Sequence, residues 1–85
     1  MKTFNYVVTD ELGLHARPAG LLAKEAKKFA SKITLTKGDR TVSAAQLMML
    51  MSMGVKKGAE VTITVEGEDE EEACEAMEKF FQENL

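Results

Sequence analysis

The chain is 85 residues long, enough for one small domain with a modest core and too short for a cleft walled by two domains. Its 45% hydrophobic and 29% charged content is that of ordinary soluble globular proteins and excludes collagenous, disordered and membrane-spanning classes. The net charge of −3 divides unevenly: residues 1–65 carry ten Lys or Arg against five acids, whereas residues 66–85 carry one Lys against nine. Such a balance does not describe a nucleic-acid binder, although the basic part can attract acidic partners. The single cysteine, Cys74, closes no intramolecular disulfide and fits a reducing compartment. Neither a metal nor a cofactor is expected. Met1 to Tyr6 contain no hydrophobic stretch of the kind a secretory signal needs, so a cytoplasmic location is expected.

Phe4, Tyr6 and Val8 alternate with Thr3 and Asn5, the period of a half-buried strand. From Ala16 the apolar spacing widens to three and four, through Ala19, Leu22, Ala26 and Phe29, which predicts an amphipathic helix with Pro18 in its first turn. Ile33 and Leu35 alternate with threonines, and Lys37-Gly38-Asp39-Arg40 then turns the chain into Thr41-Val42-Ser43, a hairpin. Gln46 to Met53 is almost wholly apolar and stops at Gly54, as a short helix would. Val61, Ile63 and Val65 predict a fourth strand. Asp69 and Glu72 form a D-x-x-E helix start, with Ala73, Cys74, Met77, Phe80 and Phe81 facing inward. The order β-α-β-β-α-β-α implies an α+β domain over residues 1–85, a four-stranded, mainly antiparallel sheet with helices on one face. Periodicity leaves the strand order open.

The stretch richest in chemistry is Gly13-Leu14-His15-Ala16-Arg17-Pro18-Ala19. A histidine at a helix N-terminus beside an arginine meets unsatisfied amides, a partial positive dipole and a full positive charge. These welcome a phosphate. A neutral ring nitrogen can attack phosphorus, and Ala16 and Arg17 can then hold the resulting anion. On physics alone, however, a lone loop histidine is more often a surface or capping residue. No serine, cysteine or carboxylate stands ready to complete a hydrolytic triad with it.

This motif resembles the phosphorylation site of the HPr family, the histidine-containing phosphocarriers of the bacterial phosphoenolpyruvate-dependent sugar phosphotransferase system. A second match is Met51-Ser52-Met53-Gly54-Val55-Lys56-Lys57-Gly58, and the resemblance extends over essentially the whole chain. It implies an open-faced β-sandwich, four antiparallel strands with three helices on one side. It also implies a carrier, not an enzyme in its own right, that takes a phosphoryl group from Enzyme I and hands it to a sugar-specific IIA component. His15 matches the phosphorylated residue, with attack through Nδ1, and Arg17 the arginine that stabilises the transferred group. Two departures stand out. The loop reads Asp10-Glu11-Leu12, in which Leu12 offers no side-chain donor and Glu11 would repel a nearby dianion. Gln46 stands where some relatives carry a regulatory serine, and it cannot be phosphorylated.

Leu47, Met48, Met49, Leu50, Met51 and Met53 exceed one inward stripe, so part of this soft, adaptable surface is expected to face solvent. Leu47, Met48 and Met51 are the expected partner contacts, with Ala16, Gly20, Lys24 and Lys27 around His15; a solvated face is the plainer reading of the lysines. Cys74 reads as a small buried hydrophobe, Ser52 as structural and Ser43 as a turn residue. A monomer without nucleic-acid partners or membrane insertion is expected. Two other classes share parts of this pattern: a regulatory module that docks on a transcription factor or enzyme without moving a phosphoryl group, and an RNA-binding β-α-β-β-α-β domain. The second lacks the paired strand aromatics on which bases stack.

Overall fold

The computed structural model describes residues 1–85. Its elements are β1 (Lys2–Val7), α1 (Ala16–Ala26), β2 (Lys32–Lys37), β3 (Arg40–Ser43), α2 (Leu47–Ser52), β4 (Glu60–Glu66) and α3 (Glu70–Asn84). The strands form one antiparallel sheet in the order β1-β4-β2-β3. Alternation explains why only one face is covered. Ile33, Leu35, Val42, Val61, Ile63 and Val65 point inward and are buried. The registers place Thr3, Thr64, Thr34 and Ser43 in one row of the other face, and Asn5, Thr62, Thr36 and Thr41 in the next. Short hydroxyl side chains keep their β preference while remaining hydrated, so this face needs no cover. The hairpin between β2 and β3 turns on two residues, with Gly38 at a φ of 62° in the position that demands it.

The helices close the apolar face. Ala19, Leu22, Ala23 and Ala26 of α1 are buried with Ala73, Cys74, Met77 and Phe81 of α3. Phe81 is the aromatic centre: the rings of Phe4, Tyr6 and Phe80 stand edge-on to it at 6.0, 5.5 and 6.0 Å, the arrangement that ring quadrupoles prefer. Phe80, expected inward, is only partly buried, because Phe81 lies one turn beyond Met77 and takes the inward position. Phe29 likewise lies past the end of α1 and packs only partly buried against the core. Burial pushes the Cys74 thiol up, and the adjacent Glu78 adds to the effect, so the electrostatics match an unreactive hydrophobe.

Two expected helix starts differ. The middle helix begins at Leu47, not Gln46, and ends at Ser52; Gln46 occupies the cap position in extended backbone without a side-chain cap bond. At α3 the D-x-x-E pair forms no capping box. Asp69 holds the cap position, but its carboxylate turns to the α1–β2 connection, where it accepts from the amides of Ala30 at 2.9 Å and Ser31 at 2.8 Å and from the Ser31 hydroxyl. These three donors outcompete the helix amide, and Glu70 instead accepts from Gly67 N at 3.2 Å.

The Asp69 bridge predicts how stability depends on pH. The Ser31 hydroxyl, then the Ala30 amide, hold the carboxyl below its ordinary range. A lowered native pKa contributes stability that is present above the unfolded-state value and is lost as pH falls through the native value. Melting temperature should therefore fall on acidification through and below the ordinary carboxylate range. The acid slope should be shallower in Asp69→Asn, which is also less stable at neutral pH. Equal slopes in the two proteins would assign the acid sensitivity to other carboxylates.

Candidate functional site

The connection from β1 to α1 is pinned from two sides. Gly13 has a φ of 65°, and a Cβ there would run into the Val55 carbonyl oxygen, so only glycine permits the loop to pack against Val55 and Lys56. Leu14 N then donates to Val55 O at 3.0 Å, and the Leu14 side chain is buried. On the other side Leu85 O accepts from Thr9 N at 2.6 Å, Asp10 N at 2.9 Å and Thr9 Oγ1 at 3.0 Å. These contacts fix where the next residue, His15, emerges.

His15 is the N-cap of α1, in extended backbone, and its ring makes no cap hydrogen bond. It is half-buried, and its carbonyl accepts from Ala19 N at 3.0 Å. The first-turn amides of Ala16 and Arg17 have no intrahelical acceptor, and Pro18 at the third position contributes none. Arg17 is exposed and enters no ion pair within the chain. The imidazole thus sits beside two unengaged amides and an unengaged guanidinium, a set of donors suited to an anion with several oxygens.

Asp10, Leu12, His15, Arg17, Pro18, Leu21, Glu83 and Asn84 line one open hollow. Glu83 and Asn84 escaped the sequence reading, and no local pattern marks them: the end of α3 reaches the loop only through the fold. Leu12 is 70% exposed on the rim, and its amide donates to Asp10 Oδ2 at 3.0 Å. Glu11, the residue that would repel a dianion, has its carboxylate 2.9 Å from Lys57 Nζ, a pairing that offsets its charge.

Helix α1 packs against α2. Of the apolar run from Leu47 to Met53, the core takes only Leu50 and Met53. Leu47, Met48, Met49 and Met51 are exposed, Met48 most of all at 75%. Lys24 and Lys27 are also exposed, Gly20 is half-buried and Ala16 is exposed. Gln46 is exposed at the head of α2. Ser43 Oγ accepts from Ala45 N at 3.3 Å in the turn before it. No helix is long and apolar enough to cross a membrane.

Residues 2–83 match the family model described as the PTS HPr component phosphorylation site. The phosphocarrier protein HPr of Mycoplasma capricolum is 42% identical over 79 residues, 93% of this chain and 89% of that protein. The crystal structure of HPr-C-His from Thermoanaerobacter tengcongensis superposes with a TM-score of 0.91 at 40% identity, covering 96% of this chain and 92% of that one. The Bacillus subtilis catabolite repression protein Crh, crystallised as a domain-swapped intertwined dimer, is 42% identical with a TM-score of 0.78, covering 94% and 92%. The sheet order, the three helices and these matches agree: the chain belongs to the HPr family of the phosphotransferase system, small α+β proteins that carry a phosphoryl group and catalyse no reaction of their own.

Proposed function

We propose that His15 is the residue that carries the phosphoryl group, accepting it from phosphorylated Enzyme I and passing it to the IIA component of a sugar permease. One observation carries the assignment: the His15 ring stands at the head of α1 without a hydrogen-bonded partner, beside the unengaged amides of Ala16 and Arg17 and the unpaired Arg17 guanidinium. As the bond between phosphorus and Enzyme I breaks, a lone pair of the ring, on Nδ1 by family resemblance, forms the N–P bond. Delivery to IIA reverses these roles, with His15 leaving. Arg17 and the two amides stabilise the phosphoryl oxygens during both exchanges. They do so without metal-like permanence, as a relay requires. Residues 1–85 act as one carrier unit, a cytoplasmic monomer in this reading. Incubation with phosphoenolpyruvate, Enzyme I and magnesium should add one phosphoryl group to the intact mass. An unchanged mass would reject the reading.

The likeness to the catabolite repression protein Crh favours a second reading, a regulatory module that docks on a transcription factor or enzyme without moving a phosphoryl group. It leaves the free ring and the unpaired arginine without a task, and the same mass measurement separates the two.

The partner surface in this proposal is the apolar patch of Leu47, Met48 and Met51, with Ala16, Gly20, Lys24 and Lys27 around His15. A central apolar anchor carries more affinity than a charged rim, which mainly speeds encounter. Met48→Asp should weaken Enzyme I binding about tenfold or more while leaving the melting temperature nearly unchanged, because the side chain is already solvent-exposed. Unaltered affinity in titration calorimetry would place the interface elsewhere. Gln46 offers neither a hydroxyl to phosphorylate nor a charge to imitate a phosphate. Treatment with the bifunctional HPr kinase and ATP should leave the mass unchanged, and labelling on Ser43 or Ser52 would show that the regulatory site has moved.

A further inference from the structure

We propose that Arg40 is a positioning residue for the exposed patch on α2, acting through the end of that helix and not by touching a partner. The inference rests on the docking role assigned above to Leu47, Met48 and Met51.

Helix α2 has six residues, fewer than two turns, too short to hold itself. Its cap residue Gln46 makes no side-chain cap bond, and Leu50 is its one buried side chain. Leu50, with Met53 just beyond it, roots one side of the helix in the core, but the backbone carbonyls of its last turn still need partners. Providing them falls to the hairpin tip. Arg40 Nη1 donates to Ser52 O at 3.0 Å, and Nη2 donates to Ser52 Oγ at 2.6 Å. The Ser52 hydroxyl in turn donates to Met49 O at 2.7 Å. Lys37, paired with Arg40 across the two-residue turn, donates from Nζ to Gly54 O at 3.1 Å.

These contacts meet a definite need. The last carbonyls of a helix lack intrahelical donors, and the dipole makes that end negative, so cations are favoured there. Neither Arg40 nor Lys37 has a carboxylate partner, which leaves both free for the carbonyls. A planar guanidinium fixes two acceptors at once, whereas an ammonium holds one. Anchored in β2 and β3, the pair clamps the C-terminal end of α2 and thereby sets the direction in which its methionines project.

The test combines kinetics with amide exchange. In Arg40→Ala, KM for the carrier as substrate of Enzyme I should rise roughly three- to tenfold with kcat unchanged, since His15 and Arg17 are untouched. Exchange of the Leu50 to Met53 amides should quicken while that of β4 stays slow. Arg40→Lys should recover only part of both effects. Arg40→Ala and Ser52→Ala together should raise KM by less than the product of their separate effects, because both remove the Nη2–Oγ link. Additive effects, or a raised KM with unaltered α2 exchange, would mean that Arg40 meets the partner directly and would overturn the proposal. Unchanged KM and exchange together would also overturn it. If the wild-type protein accepts no phosphoryl group, the proposed function fails, and the exchange measurement still decides whether the clamp holds α2.

Discussion

Replacing His15 with alanine should abolish phosphoryl acceptance from Enzyme I altogether. The chain contains one histidine, so no second imidazole can take over, and Cys74 is buried on an acidic helix away from the hollow. The variant should fold as the parent does. The ring makes no cap hydrogen bond, so alanine forfeits none of the stabilisation that usually makes an N-cap substitution costly. The backbone bonds of Leu14 to Val55 and of Ala19 to His15 O need no imidazole. Loss of labelling with unchanged melting would therefore report chemistry and not unfolding. The wild-type adduct should be labile in acid and stable in base, as an N–P bond is. Undiminished labelling of the alanine variant would remove His15 from the mechanism and with it the relay as proposed.

Removing the Arg17 side chain should slow transfer on the order of 10²-fold or more, the usual consequence of deleting one preorganised charge contact at a reacting anion. The guanidinium has no ion pair to break inside the chain, so Arg17→Ala costs the fold little. What it loses is felt most while the phosphoryl group lies between two nucleophiles. Asp10 and Glu83 share the hollow with His15, and without Arg17 their negative charge is left unopposed at the point where a dianion must sit. Partner affinity should change far less than the rate. Arg17→Lys should fall between the two, because an ammonium restores charge but not the planar fork that matches phosphoryl oxygens. Single-turnover transfer to a IIA component, read beside the binding constant, separates these effects. Wild-type kinetics in Arg17→Ala would deny the residue any part in the exchange.

The proposed phosphoryl site is legible in the chain because its parts are contiguous. His15, Ala16, Arg17 and Pro18 form one helix start, and a helix start is a local event decided by cap position, ring constraint and unsatisfied amides. Element order was legible for the same reason: alternation in Val61-Thr62-Ile63-Thr64-Val65 and three-to-four spacing in α1 are short-range patterns that burial then enforces. Strand order was not, since periodicity says which face a residue takes and nothing about its neighbour; β4 lies between β1 and β2 through pairings distant in sequence. Asp69 looked like a capping residue, and its local pattern was sound, yet three donors from the α1–β2 connection claimed its carboxylate. Glu83 and Asn84 reached the His15 hollow, and Arg40 reached Ser52, for a like reason. Sequence by itself singled out the candidate nucleophile and determined its helix and the count of elements, all set by interactions within a few residues. Tertiary structure alone decided which distant residues line the hollow around His15 and brought Arg40 to the end of α2, because those contacts exist only once the chain has closed on itself.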